Sequence, residues 1–297
     1  MNRFLPRVHT HTATEMGMLV NVHLVETRHG VVAIDGAVAL SSSRAIRKMI
    51  EQDIGKPLLA VLLTHGHPDH YMGVAEIMGD REVDFFALQG AIDQARERDA
   101  EESAGMRMAF GENFPERRIF PNRVVDDGDE LVIDDVTFQV RDYGGCESDS
   151  DGVWFIDGDR APIVFCGDLI YNQMHLFMKD GHPLAWLRGL DRLRREFSRD
   201  SRFYPAHGDN CGREGIYWAQ AYIQMYLRML GDLLEGGDVL SPARQQRLIT
   251  ALKSFLPSDN LIELAQFKLD ETIHVLSPAA NAAAKWQSEE ESWQRYS

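Results

Sequence analysis

Short apolar runs separated by polar turn residues fill the first two hundred positions of the chain, a pattern typical of β-strands joined by turns. Runs at 19–25 and 31–35 predict an opening hairpin, because the residues between them include a Thr-Arg-His-Gly turn. The continuous apolar run at 58–63 is typical of a buried strand. Further strands are predicted at 84–88, 131–140, 152–156 and 163–166.

Helical spacing alternates with these strands. At 41–51 the apolar residues recur at the period of a helix, and Gly55 and Pro57 end it before the buried strand begins. Between 152–156 and 163–166, the residues Asp-Gly-Asp form a turn that predicts an antiparallel pair. We therefore expect sheets that are mixed rather than all parallel.

Residues 91–123 do not follow either pattern clearly. A charged stretch, 96–102, precedes four large apolar residues that are spaced irregularly among glycines: Met106, Met108, Phe110 and Phe114. Two interpretations stay open, a lid over a functional site and a surface excursion that packs its own small cluster.

The character of the chain changes near residue 215, where helical spacing takes over. One apolar helix face ends at Gly236, a second helix begins at Ser241-Pro242, and a third is predicted from Ser258 to about Val275, closed by Pro278. We divide the chain into an α/β domain at 1–214 and a helical C-terminal extension at 215–297 that caps the site. The final stretch, polar apart from Trp286 and Trp293, is either a loose tail or an arm that docks on a second subunit of a homodimer.

Composition narrows the class of protein. The 297 residues are 44% hydrophobic and 26% charged, as in ordinary globular proteins. A formal charge of −15 argues against a nucleic-acid partner, and the longest apolar run is too short to cross a membrane. Three scattered cysteines and the lack of an apolar leader lead us to expect a cytoplasmic protein with reduced thiols.

The strongest chemical signal is Thr-His-Gly-His-Pro-Asp-His at 64–70, directly after the buried strand. Three imidazoles and a carboxylate at a strand-to-helix junction can diverge toward two adjacent metal positions. His65 and His67 lie on the loop and can share one ion, whereas Asp69 and His70, in the first helical turn, face the other. An incidental solvated turn would not explain so dense a cluster.

This motif resembles the signature of the metallo-β-lactamase superfamily, whose fold is an αβ/βα sandwich of two mixed β-sheets flanked by helices. Two later motifs keep the family's order over about residues 18–212: Phe-Cys-Gly-Asp ending at Asp168, and Tyr-Pro-Ala-His-Gly-Asp containing His207. The resemblance implies that Asp168 bridges two metal ions and that His207 is the last ligand.

The family's Gly-His-Thr loop has no histidine here. Residues 143–153 read YGGCESDSDGV, and aligning the strand that follows places Glu147 on the missing ligand, with Cys146 as its rival. Neighbouring residues in an extended loop point apart, so we expect only one of them to reach a metal; a third interpretation is that neither does. With Asp69, Asp168 and Glu147 the site is more anionic than the five-histidine arrangement. Zinc remains the default for both divalent ions, but iron or manganese should be tolerated better.

The resemblance implies a cytoplasmic hydrolase that uses a metal-bridging hydroxide, held by the catalytic residues Asp69 and Asp168, to cleave an ester, lactone or thioester of a small molecule. A metal-binding sensor with little turnover and an iron-dependent redox enzyme are the alternatives. Four apolar or aromatic residues are expected to wall the substrate pocket, with plain core packing as the competing explanation: Tyr171, Met174, Phe177 and Trp186.

Overall fold

A computed structural model describes residues 4–180 and 182–296, with side chains up to residue 284. Six strands form the first sheet, in which β1 to β4 and then β5 and β6 lie side by side in chain order. The first three strands pair antiparallel and the last three join in parallel, so the sheet is mixed. The strands are β1 (Arg7–Thr12), β2 (Asn21–Glu26), β3 (Val31–Ile34), β4 (Leu58–Leu62), β5 (Asp84–Leu88) and β6 (Arg123–Val125).

Five strands form the second sheet, in the order β11-β10-β9-β8-β7. Its neighbours pair antiparallel except for β10 and β11, which are parallel because a helix crosses over between them. The strands are β7 (Glu130–Ile133), β8 (Val136–Asp142), β9 (Gly152–Ile156), β10 (Ile163–Asn172) and β11 (Arg202–Gly208).

The helices lie outside the two sheets. A π-helical turn, Met49–Ile54, extends the first of them. The helices are α1 (Leu40–Lys48), α2 (Pro68–Tyr71), α3 (Val74–Met78), α4 (Gln89–Phe110), α5 (Pro183–Glu196), α6 (Arg213–Leu234), α7 (Pro242–Phe255), α8 (Ile262–Gln266) and α9 (Leu269–Tyr296).

Three apolar clusters define the layers. The middle cluster lies between the sheets, where Leu62 of β4 and Phe138 and Trp154 of the second sheet are fully buried. Alternate residues of β2 to β4 face the opposite way, toward α1, α3 and α4. The third cluster joins the second sheet to α5, α6, α7 and α9. The order helix, sheet, sheet, helix confirms the predicted αβ/βα sandwich with a helical C-terminal region.

Three sequence predictions were wrong in detail. Residues 131–140 are not one strand but the hairpin of β7 and β8, because Asp134 adopts a left-handed conformation at the turn. Segment 91–123 is not irregular, since most of it is α4. Phe110 and Phe114 are buried in the cluster between the first sheet and its helices rather than in a cluster of their own. The third C-terminal helix does not run from Ser258 to Pro278.

In that last region the short α8 and the long α9 replace one predicted helix, and Pro278 lies inside α9 instead of ending it. The backbone is helical through the predicted tail up to Tyr296. The side chains of Trp286 and Trp293 lie outside the described residues, so the docking arm stays a prediction, as does the division at residue 214. No helix in the described part of the chain combines the length and apolar character needed to cross a membrane.

Candidate metal centre

The first motif lies where β4 of the first sheet ends. Asp35, which follows the neighbouring β3, accepts hydrogen bonds from the backbone N–H (2.7 Å) and the hydroxyl (2.8 Å) of Thr64. The chain then turns through His65 and His67 into α2, whose first residue is Pro68. Proline suits that position because its missing N–H would have no helical partner there. The three histidines and Asp69 are all buried.

Two glycines permit the close approach of this loop to its neighbours. A Cβ on Gly66 would lie 2.7 Å from the carbonyl oxygen of Ala91 in α4, so no larger residue fits between the two histidines. Gly167, which precedes Asp168, has a φ of +51°, and a Cβ there would lie 2.8 Å from the Thr64 hydroxyl. Glycine at both positions brings the carboxylate of Asp168 up to the histidine loop.

The predicted ligands come together in two adjacent groups. In the first, Nε2 of His65 and Nδ1 of His67 are 3.0 Å apart, and Oε2 of Glu147 lies 3.5 Å and 3.2 Å from them. In the second, Oδ2 of Asp69 lies 3.7 Å from Nε2 of His70 and 3.4 Å from Nε2 of His207. Each group offers its atoms within 4.8 Å of one another.

Asp168 lies between the two groups. Its Oδ2 is 4.0 Å from Nε2 of His65 in the first group and 3.4 Å from Nε2 of His207 in the second. Its Oδ1 is 3.5 Å from Nε2 of His70. This is the placement expected of a carboxylate that bridges two metal positions.

The loop at 143–151 turns Glu147 inward and Cys146 away. The carboxylate of Asp151 accepts hydrogen bonds of 3.0 Å from the backbone N–H groups of Cys146 and Ser148, on either side of Glu147. The thiol of Cys146 instead faces the carbonyl oxygens of Tyr143 and Ala185. The structure therefore brings Glu147 into the first group and leaves Cys146 out of it.

Three of the four candidate imidazoles have a partner on the outer side of the ring, which fixes the nitrogen that faces the site. Nδ1 of His65 lies 3.1 Å from the Thr64 hydroxyl, and Nδ1 of His70 lies 3.0 Å from Oδ2 of Asp35. His67 is turned the other way, with Nε2 on Oδ2 of Asp180 at 2.7 Å. Sequence reasoning missed both aspartates: Asp35 had a faint signal in its place after a strand, whereas nothing marked Asp180.

The electrostatics of the buried centre favour cations. Among the described residues, Nε2 of His70, Oε2 of Glu147 and Oδ1 of Asp168 are buried without a hydrogen-bond partner. Burial raises the pKa of Glu147 to about 8, although His67 opposes the shift. For Asp168 burial acts in the same direction, but His207 and His70 outweigh it and hold the pKa well below its usual range.

This donor set fits two divalent ions. Unpartnered buried acceptors are costly, and a metal ion would satisfy them. Imidazole nitrogens and carboxylate oxygens are the ligands that zinc, iron and manganese share. The fit rests on three carboxylates and four imidazoles that converge on two neighbouring positions.

Comparison with known proteins places this centre in a family. The family model of the metallo-beta-lactamase superfamily matches residues 16–207, which include every clustered ligand candidate. The chain belongs to this superfamily. A hydroxyacylglutathione hydrolase from Albidiferax ferrireducens is 30% identical over 144 residues, 48% of this chain and 46% of that protein. The match thus spans less than half of the relative's length.

Solved structures support the superfamily's fold. A beta-lactamase domain protein from Burkholderia ambifaria superposes with a TM-score of 0.69 at 17% identity, over 93% of this chain and 87% of that one. A metallo-beta-lactamase from Pontibacter korlensis reaches a TM-score of 0.59 at 18% identity, over 74% and 95% of the two chains. At such identities the likeness concerns the fold alone.

The four predicted pocket residues of this superfamily member have different surroundings. Phe177 lies edge-on to His67, with ring centroids 5.6 Å apart, and lines a crevice beside Glu147 together with Trp186. The crevice is too narrow for a water molecule. Tyr171 is buried against the carboxylates of the centre, while Met174 packs against the core of the second sheet and the C-terminal helices.

Proposed function

We propose that this chain is a dinuclear metal-dependent hydrolase that cleaves an ester, lactone or thioester of a small molecule. The observation that carries the proposal is the pair of adjacent ligand groups that share Asp168. Two divalent ions held there would lower the pKa of a water molecule and polarise a carbonyl oxygen. His65, His67 and Glu147 would hold one ion, and Asp69, His70 and His207 the other, with Asp168 between them.

The chain's own residues would orient the reactants. Asp69 and Asp168 both present carboxylate oxygens to the space between the groups, where they would accept hydrogen bonds from an attacking water and hold its orientation. Tyr171 adds a hydroxyl that reaches Asp168 at 2.5 Å and Glu147 at 3.2 Å. The single proton of this hydroxyl would be donated to one of these two carboxylates and would hold that carboxylate in its orientation.

The replacement of a histidine by Glu147 bears on the choice of metal. Three carboxylates balance more of the charge of two divalent ions than two carboxylates and five histidines do. Hard ions such as manganese and iron prefer oxygen donors more than zinc does. We propose zinc as the default occupant, with higher tolerance for iron or manganese than a five-histidine site has.

Two separate observations support the proposed substrate class. The 30% identity to a hydroxyacylglutathione hydrolase supports a thioester among the three candidate bonds. The aromatic edge of Phe177 beside His67 supports an apolar group next to the scissile bond. A cytoplasmic location is part of the proposal, in keeping with three buried free cysteines, Cys146, Cys166 and Cys211.

A substrate panel tests the proposal. Protein loaded with zinc, and separately with manganese or iron, is assayed on acyl-glutathione thioesters, acyl homoserine lactones, aryl esters and phosphodiesters. We expect turnover of a thioester, lactone or ester that Asp69→Ala lowers by a factor of 10² or more, the scale on which such catalytic groups act. Absence of turnover in every class with two metals bound would overturn the hydrolase, and tight ligand binding in that case would favour the sensor.

A further inference from the structure

His67 differs from two of its neighbours in what orients it. The outer nitrogens of His65 and His70 are held by Thr64 and Asp35, which follow adjacent strands of the first sheet. The outer nitrogen of His67 is held by Asp180, on the loop that follows β10. The orientation of one candidate ligand therefore depends on a segment outside the first sheet.

Asp180 is itself held by a side chain from α4. Arg98 donates from one guanidinium nitrogen to both oxygens of Asp180, at 3.2 Å and 3.1 Å. The side chain of Asp180 is 5% exposed and that of Arg98 is 32% exposed, so the carboxylate end of this charged hydrogen bond is shielded from water. Arg98 also pairs with Asp149, two residues after Glu147. Arg98 thus contacts both the loop that carries Glu147 and the loop that carries Asp180.

The loop that carries Asp180 is anchored at its other end. In residues 173–180, which we call the strap, His175 places Nδ1 2.8 Å from the hydroxyl of Tyr222 in α6. Its Nε2 lies 3.0 Å from the carbonyl oxygen of Ser258, and its backbone N–H donates to that of Asn260. The C-terminal helical region therefore fixes one end of the strap, and Arg98 and His67 fix the other.

We propose that Asp180 and Arg98 are positioning residues that set the metal affinity of the site formed by His65, His67 and Glu147, and not that of the second site. The carboxylate of Asp180 accepts the hydrogen bond from Nε2–H of His67. This holds His67 in the tautomer whose Nδ1 lone pair faces His65 and Glu147. Outer partners of this kind orient a metal-binding imidazole and raise its basicity.

The inference rests on the metal ligation proposed above and is independent of the substrate. Within the described part of the chain, no hydrogen bond or ion pair joins Asp69, His70 or His207 to the Asp180–Arg98 pair. Removing the pair should therefore leave the metal affinity of the second site intact. A chain that had merely lost stability would lose both metal ions together. The selective loss of one ion therefore separates positioning from a general structural role.

Zinc titration against a chromophoric chelator provides the test. Wild-type protein should bind two zinc ions, and Asp180→Ala should bind one of them about 10- to 100-fold more weakly while the other keeps its affinity. Arg98→Ala should shift the same ion in the same direction. Arg98→Lys should fall between, since lysine keeps the charge but loses the planar fork.

A second readout follows the imidazole itself. Two-bond ¹H–¹⁵N spectra of zinc-loaded wild-type protein, with His67 assigned by comparison with His67→Gln, should show proton at Nε2 and metal at Nδ1. In Asp180→Ala this pattern should be lost for His67, whereas His70 should keep the opposite pattern, with proton at Nδ1 and metal at Nε2. Asp180→Asn keeps the shape of the side chain and a neutral acceptor, so it should retain the pattern and lose less zinc affinity than Asp180→Ala. It replaces the alanine variant in the test if that variant does not fold.

Matched controls come from exposed pairs elsewhere. Arg107→Ala removes another α4 arginine, paired with Glu116, and Asp191→Ala removes an aspartate paired with Arg194 and Arg195. Both should bind two zinc ions as the wild type does. Unchanged affinity for both ions in Asp180→Ala, or an equal loss of both, would overturn the inference. A wild-type chain that binds fewer than two ions would instead contradict the proposed metal centre.

Discussion

The hydroxyl of Tyr171 lies 2.5 Å from Oδ2 of Asp168, the carboxylate placed between the two ligand groups. The same ring stacks on His207, with centroids 4.8 Å apart and planes 12° from parallel. One side chain thus contacts the carboxylate of Asp168 and a candidate ligand of the second site. This geometry makes Tyr171 part of the centre rather than of a pocket wall alone.

Replacing Tyr171 by phenylalanine should lower kcat about 10- to 100-fold, because Asp168 loses its hydroxyl partner while the ring stays in place. The measurement is steady-state turnover of the best substrate at matched zinc content. Tyr226→Phe is the control, since the buried Tyr226 hydroxyl has no hydrogen-bond partner among the described residues. Wild-type kcat in Tyr171→Phe, or an equal fall in Tyr226→Phe, would contradict the role assigned to the Tyr171 hydroxyl.

His23 should make the fold sensitive to acid. Burial lowers its pKa to about 4, although a hydrogen bond to the carbonyl oxygen of Pro205 opposes the shift. In the unfolded chain His23 has its ordinary pKa near 6.5. Between pH 6.5 and 4, the imidazole therefore binds a proton in the unfolded chain but not in the folded one. The free energy of unfolding should thus fall as the pH drops from 6.5 toward 4, by about 3 kcal/mol from this group.

Urea unfolding at pH 7.0, 6.0, 5.0 and 4.5 measures this dependence. In His23→Gln, the side chain can still donate to Pro205 but does not titrate, so the fall between pH 6.5 and 4.5 should be shallower. Replacing the exposed His29 by glutamine removes another β2–β3 histidine and should not change the slope in the same way. Identical pH dependence of the free energy of unfolding in wild type and His23→Gln would contradict a His23 that stays neutral in the folded protein.

Two helical glycines should respond oppositely to alanine. A Cβ on Gly231 of α6 would lie 2.3 Å from the carbonyl oxygen of Ala280 in α9, so Gly231→Ala should force the helices apart and cost about 1–3 kcal/mol. A Cβ on Gly105 of α4 meets no atom within 4 Å, so Gly105→Ala should stabilise the fold by roughly 0.5–1 kcal/mol. Denaturant midpoints of the two variants check both signs, and a stabilising Gly231→Ala would contradict the packing of α6 on α9.

The motifs of the centre were readable because they are local in sequence. The strand-to-helix junction at 64–70 carries four candidate ligands, and Asp168 and His207 lie in β10 and β11, in the expected order along the chain. Glu147 was found through the resemblance, as the group that replaces a missing histidine. The structure adds that Asp151 shapes the loop around Glu147, which no local pattern indicates.

What sequence reasoning missed depends on contacts distant in the chain. Asp180 lies 113 residues from His67 in the chain, although the two side chains are hydrogen-bonded. The strap residues that precede Asp180 form no motif that would mark it as a partner of a metal ligand. Helix α4 was missed because its charged residues and glycines give it a weak apolar face, whereas its buried end packs on the first sheet. Pro278 ends helices in general, yet packing of α9 on α6 keeps the backbone helical past it.

The central claim is that Glu147 completes one of two metal sites that share Asp168. Its most direct test is the metal content per chain, measured by plasma mass spectrometry after saturation with zinc and removal of loosely bound metal. Two ions are predicted for the wild type and for Cys146→Ser, and one ion for Glu147→Ala. Two ions retained in Glu147→Ala, or one lost in Cys146→Ser, would contradict the account.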